Sequence, residues 1–149
     1  TKGKGRSGKV WESPKKKNIY LSIGTLLNKE ISELDGFSIL IALMICNALE
    51  DLYKIKAKIK WPNDLYLKNK KFGGILIETK IVNKKLSIVI GIGLNIFMKT
   101  NEFINQEWTS LHIEKPFLEI DRNILISKII SEISNNLNYF LEKGFKAFK

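Results

Sequence analysis

Residues 57–96, AKIKWPNDLYLKNKKFGGILIETKIVNKKLSIVIGIGLNI, decide the fold. Ala57–Trp61, Asp64–Leu67, Phe72–Ile81 and Leu86–Ile96 are short β-branched and apolar runs, and turn chemistry separates them at Pro62, Asn69-Lys70 and Asn83-Lys84. The last two runs read as antiparallel neighbours. Toward the N-terminus, Asn18–Leu27 (NIYLSIGTLL) reads as a further strand, and Glu33–Tyr53 as a helix with acidic Glu33 and Asp35 near its start. Phe37, Ile39, Leu40, Ile41, Leu43, Met44 and Ile45 cover nearly all faces of that helix, so it belongs at the centre of the core. Toward the C-terminus, residues 97–118 look irregular. Asp121 then caps a second long helix to about Lys143, with Ile126, Ile129, Ile130, Ile133, Leu137, Phe140 and Leu141 as its apolar stripe and Gly144 as its stop. Strand, helix, several adjacent strands, helix: the order predicts an α+β domain, a mixed, largely antiparallel sheet with helices packed on one side.

The 149 residues are 44% apolar and 27% charged, enough for one domain core and too apolar for a disordered chain. Cys46 is the only cysteine, which excludes a disulfide framework and a multi-Cys zinc site and fits a reducing compartment. His112 is the only histidine, which excludes a His-rich metal site. The longest apolar run, Phe37–Leu49, is about 13 residues and too short to span a bilayer. Residues 1–17 hold no hydrophobic stretch of a secretory signal, so a cytoplasmic protein is expected.

The net charge of +10 makes nucleic acid the first partner to consider. The excess is local. Residues 1–20 hold seven basic groups against Glu12, and residues 54–71 hold seven against Asp64, each a sum of +6.

Gly3-Lys4-Gly5-Arg6-Ser7-Gly8-Lys9 satisfies G-x-G-x-x-G, but no strand precedes it and no helix follows. It also satisfies G-x-x-x-x-G-K, with Val10 where a magnesium-binding Ser/Thr should stand. What remains is a glycine loop that lets backbone approach a ligand among cations, with Trp11 as a stacking face; the alternative is a disordered basic terminus. Lys60-Trp61-Pro62-Asn63-Asp64 puts an amide and a carboxylate at a strand end, suited to a purine edge or to an ordinary hairpin corner. Gly73 and Gly74, preceded by Lys71, thin one strand; Gly91 and Gly93, followed by Asn95, thin the next. Either these are bulges and twists, or they leave room for an extended ligand with an anionic middle. Cys46 sits in the most apolar helix and reads as a core thiol.

Taken together, Gly3–Trp11, Lys60–Leu67 (KWPNDLYL), Lys71–Glu78 (KFGGILIE), Gly91–Asn95 (GIGLN), Asn18–Ser22 and the helix opened by Asp121-Arg122-Asn123 resemble the catalytic domain of biotin–protein ligase across nearly the whole chain. The resemblance implies a class II aminoacyl-tRNA synthetase-like fold. It also implies an ATP- and Mg2+-dependent reaction that forms biotinyl-5′-AMP and transfers biotin to a lysine of a carboxylase carrier protein. By position it implies Lys71 and Arg6 as catalytic cations. Lys4, Gly5, Arg6, Lys71, Gly74, Leu76 and Gly93 would hold biotin, and Arg6, Trp11, Lys60, Asn63, the Ile92 backbone and Asn95 the nucleotide; no metal ligand is assigned. The family usually has Arg where this chain has Lys4, and a lysine lacks the planar bidentate fork. Residues 1–149 would then be the catalytic domain without its N-terminal part, which holds a Ser/Thr-rich turn and a Gln before the loop, and without its small C-terminal β domain. The expected partner is a biotin carboxyl carrier protein or carboxylase biotin domain, with a homodimer left open, no membrane, and nucleic acid only through a further N-terminal domain. Two alternatives stand beside it: a basic nucleic-acid-binding module, marked by exposed aromatics among the lysines, and a lipoate-type acyltransferase on the same fold, against which KWPND argues.

Overall fold

A computed structural model describes residues 3–100, 104 and 106–148. Strands β1 (Gly3–Lys4) and β2 (Val10–Trp11) form a small hairpin, followed by β3 (Ile19–Leu27), α1 (Phe37–Tyr53), β4 (Lys58–Lys60), β5 (Asp64–Leu67), β6 (Lys70–Val82), β7 (Lys85–Leu94), α2 (Leu111–Glu114) and α3 (Arg122–Lys143). The main sheet has the order β3-β7-β6-β5-β4. Every ladder in it is antiparallel, and the one parallel pairing among the described residues is an isolated bridge between Lys71 and Trp108. The sheet is thus less mixed than the sequence suggested.

Both hairpin turns follow from their residues. Asn83 and Lys84 stand at φ 49° and 62°, the paired left-handed conformation that a tight two-residue hairpin demands. At the β5–β6 turn the same pair is Lys68 and Asn69, at φ 44° and 65°, one residue earlier than expected. Alternation along β7 sends Leu86, Ile88, Ile90, Ile92 and Leu94 to one buried face, where α1 and α3 cover them.

The first long helix starts later than the sequence reading. Glu33 belongs to a separate 3-10 turn, Ile31–Leu34, closed by reciprocal hydrogen bonds between Glu30 and Glu33, and α1 begins only after Gly36 at φ 80°. A side chain at Gly36 would also collide with Phe145, whose Cγ lies 2.6 Å from the ideal Cβ. By length and composition Ile31–Tyr53 is apolar enough to cross a membrane, which the shorter run Phe37–Leu49 concealed. In the fold α1 fills the core instead: Ile41, Ile45 and Leu49 are fully buried, and the Phe37 ring lies 5.2 Å from that of Phe140 on α3.

Asp121 caps α3 as expected, its Oδ1 accepting from Asn123 N at 2.7 Å and Ile124 N at 3.2 Å. The buried stripe is Leu125, Ile129, Ile133 and Phe140. Leu125 was not in the expected set. Ile130 was, yet it is exposed, because the stripe advances by helical turns from Leu125 and leaves Ile130 at its edge. Of the stretch 97–118 read as irregular, 101–103 and 105 lie outside the described residues, and the rest holds α2, with Ser110 Oγ capping it through Ile113 N.

Candidate functional site

The face of the sheet away from α1 is thinned by glycine. Register pairs Gly74 with Gly93 and Leu76 with Gly91, while β3 adds Tyr20 opposite Gly93 and Ser22 opposite Gly91. A groove of about 1300 Å³ runs over this face, lined among others by Lys4, Gly5, Arg6, Trp11, Asn63, Asp64, Lys71, Gly74, Leu76, Ile92 and Gly93.

The adjacent glycines of β6 serve opposite purposes. A Cβ on Gly73 would meet Leu94 Cδ2 at 2.7 Å and Leu65 Cδ1 at 3.2 Å, so its vacancy is filled by core side chains. A Cβ on Gly74 would meet Trp11 at 3.1 Å, and one on Gly93 would meet Trp11 Cε2 and Nε1 at 2.7 Å. The indole of Trp11 therefore lies directly on the Gly74–Gly93 floor. Among the described residues, Trp11 Nε1 is the buried side-chain donor that finds no acceptor.

A register shift between Leu65 and Tyr66 sets the cationic centre. Tyr66 pairs with Lys71, but Leu65 pairs with Gly73, so Phe72 is the extra residue of a β-bulge. In a regular strand Lys71 and Gly74 would point to opposite faces; the bulge brings both to the groove and sends Phe72 into the core. Lys71 Nζ lies 2.9 Å from Asp64 Oδ1 and 5.4 Å from the centre of the Trp11 ring. The backbone of Lys71 is also held from outside: Lys71 N donates to Glu107 O at 3.3 Å, and Thr109 N donates to Lys71 O at 2.8 Å.

Arg6 sits in a 3-10 turn (Arg6–Gly8) made possible by left-handed Ser7 and Gly8, at φ 54° and 75°. Its Nη1 donates to Asn63 Oδ1 at 3.0 Å, joining the N-terminal hairpin to the KWPND turn. That turn is itself anchored: Ser38 Oγ donates to Pro62 O at 2.8 Å, and Asn63 Nδ2 donates to Ile75 O at 2.8 Å.

Two residues expected at the nucleotide fall elsewhere. Lys60 lies on edge strand β4, where its ammonium stands 5.0 Å from the Tyr66 ring centre and 3.3 Å from its hydroxyl, outside the groove. Asn95 is only 4% exposed; its Nδ2 donates to Thr109 O at 3.1 Å and its Oδ1 accepts from Asn18 Nδ2 at 3.3 Å. Its amide ties down the segment that clamps Lys71. The Ile92 side chain is buried in the core, leaving its backbone for the groove.

Two positions that contact Lys71 escaped the sequence reading. Asp64 counted only as a polar strand end, and Trp108 lay in a stretch read as irregular. Near the clamp, Thr109 Oγ1 donates to Glu114 Oε1 at 2.7 Å and Lys68 Nζ lies 3.0 Å from Oε2, which hold the Glu114 carboxyl below the usual carboxylate range. Burial raises the Tyr20 hydroxyl and pushes the Cys46 thiol up to about 11, against any nucleophilic role for Cys46.

A five-stranded antiparallel sheet backed by helices, with a cation-rimmed groove over its glycine face, is the α+β architecture of class II aminoacyl-tRNA synthetase-like domains. The family model for the biotin/lipoate A/B protein ligase family matches residues 1–95, and the chain belongs to that family. The bifunctional ligase/repressor BirA of Escherichia coli K12 is 36% identical over 149 residues, 98% of this chain and 46% of the relative. The biotin–[acetyl-CoA-carboxylase] ligase of Mycobacterium tuberculosis is 27% identical over 137 residues, 89% of this chain and 49% of the relative. The biotin protein ligase of Aquifex aeolicus in complex with biotin and ATP superposes with a TM-score of 0.80 at 35% identity, covering 100% of this chain and 62% of that one. The chain spans about half the length of the curated relatives it matches.

Proposed function

We propose that this chain carries the adenylate-forming site of an ATP-dependent biotin–protein ligase. A biotin carboxylate oxygen attacks the α-phosphorus of ATP, the bond to the bridging oxygen breaks, and pyrophosphate leaves. The neutral amine of an acceptor lysine then attacks the acyl carbon of biotinyl-5′-AMP; the C–O bond breaks, AMP leaves, and a proton passes to solvent. The first step drives two anions together, so its barrier is partly Coulombic. Fixed cations in a shielded groove lower it.

The observation that carries this reading is the convergence of Lys71 and Arg6 on one groove above the Gly74–Gly93 floor. Lys71 and Arg6 serve as the catalytic cations. Lys4, Gly5, Gly74, Leu76 and Gly93 form the biotin side, and Asn63 and the Ile92 backbone the nucleotide side, which Trp11 joins once its indole leaves the Gly74–Gly93 floor to the ligand. Lys60 and Asn95 support that nucleotide side from outside the groove, through the KWPND turn and the Lys71 clamp. Mg2+ enters on the phosphates of ATP, its usual mode of binding; no group of three His, Cys, Asp or Glu that could hold a metal is found among the described residues. The acceptor is a biotin carboxyl carrier protein or carboxylase biotin domain, and the reaction belongs in the cytoplasm. Biotin is favoured over lipoate because the relatives above are biotin ligases and the chain carries KWPND.

Pyrophosphate release from ATP should depend on biotin, and Lys71→Ala should lower it by about a hundredfold or more. Release that lipoate supports and biotin does not would overturn the biotin assignment, and near-normal release by Lys71→Ala would overturn the role of Lys71.

A further inference from the structure

A carboxylate in the middle of a groove for two anions needs a reason. Asp64 opens β5 directly opposite Gly74, with its Oδ1 2.9 Å from Lys71 Nζ. The two side chains are only 23% and 15% exposed, so solvent screens their attraction less than at an open surface. A lysine side chain is long and has several rotatable bonds, and left free it would spread its ammonium over many positions. Here its backbone is gripped by β5 on one side and Glu107–Thr109 on the other. Asp64 completes the confinement. An ammonium has three N–H donors; Asp64 takes one and leaves the others for ligand oxygens.

We infer that Asp64 is a positioning residue, whose carboxylate anchors the Lys71 ammonium beside the Gly74 gap so that its remaining donors meet the carboxylate and α-phosphate as they react. The inference rests on the ligase function proposed above. Asp64 touches neither reacting group and acts through Lys71. It lowers the barrier by orientation, an effect that grows in the transition state, where the Lys71 contacts must be shortest.

The test compares Asp64→Ala with Asp64→Asn, which keeps an acceptor oxygen in nearly the same place, after circular dichroism has shown both to be folded. Asp64→Ala should lower kcat for biotin-dependent pyrophosphate release by about a hundredfold while leaving KM for biotin and ATP little changed. Asp64→Asn should recover most of that loss. In ligand-free chain, the side-chain ammonium signal of Lys71 in a nitrogen-detected NMR spectrum, assigned by its absence in Lys71→Arg, should be resolved in the parent and in Asp64→Asn, and merge with the solvent-exposed lysines in Asp64→Ala. An unchanged kcat in Asp64→Ala, an equal loss in both variants, or an unchanged Lys71 signal overturns the inference. A parent without biotin-dependent release overturns the ligase reading instead, and the ligand-free spectrum then decides by itself whether Asp64 anchors Lys71.

Discussion

The two faces of the main sheet are built from the same strands yet obey different demands. On β7, Leu86, Ile88, Ile90, Ile92 and Leu94 face the helices, while Ser87, Val89, Gly91 and Gly93 alternate with them toward the groove. The helix side is filled with buried branched side chains; the groove side gives up side-chain volume wherever Gly91, Gly93 and Gly74 stand. Core packing and the open groove are thereby divided between the two faces of one sheet. Gly73 and Gly74 show the division at single-residue scale, since the space above the first belongs to Leu94 and Leu65 and the space above the second to Trp11.

If the division is real, a cut on the helix side should cost folding far more than a cut on the groove side. Phe72 is the residue the β-bulge turns into the core, and it is fully buried. Phe72→Ala should lower unfolding free energy by about 3–5 kcal/mol in denaturant titration; a loss below about 1 kcal/mol would break the comparison. A smaller effect is expected beside the Glu107–Thr109 clamp on Lys71. Glu114→Gln removes the charge that Thr109 and Lys68 share, at about 1 kcal/mol, because Lys68 is largely exposed and its attraction is screened. The pH dependence sharpens this. The folded carboxyl of Glu114 titrates below its ordinary value, so its contribution is fully present above the ordinary carboxylate range and is lost as pH falls through the lowered value. Denaturant midpoints of the parent and of Glu114→Gln should therefore converge on acidification, and parallel curves would contradict the assignment.

What the sequence disclosed, and what it hid, follows the same line. Local chemistry was legible: Asn83-Lys84 as a hairpin turn, Asp121 as a helix cap and Gly144 as its stop. So was the gathering of Lys4, Arg6, Lys71 and Asn63 around the glycines, through the family resemblance. Register was not legible. One extra residue at Phe72 decides that Lys71 and Gly74 share a face, that Gly73 packs inward, and that Asp64 reaches Lys71. A bulge at Gly73-Gly74 was one of the two alternatives open in the sequence, but Phe72 as its extra residue was not. Asn95 misled for a related reason: an amide at a strand end can serve a ligand or the backbone of its own chain, and only the fold of residues 107–111 shows that Thr109 takes it. Lys60 misled because its neighbour Asn63 enters the groove, whereas β4 runs along the sheet edge.

In the ligase reading the acyl-adenylate takes the space above Gly93 and Gly74, over which the Trp11 indole lies. Gly93→Ala probes it with a single methyl group: the strand backbone accepts alanine, but the new Cβ would lie 2.7 Å from Trp11 Cε2 and Nε1, so the indole, the far end of a side chain on the two-stranded hairpin, must shift to admit it. Calorimetric titration with biotin and with a non-hydrolysable biotinyl-adenylate analogue should show affinity lowered by about tenfold or more, the effect of about 1.4 kcal/mol. The unfolding free energy should move by about 1 kcal/mol or less. Affinity equal to that of the parent, in a variant of equal stability, would contradict the account.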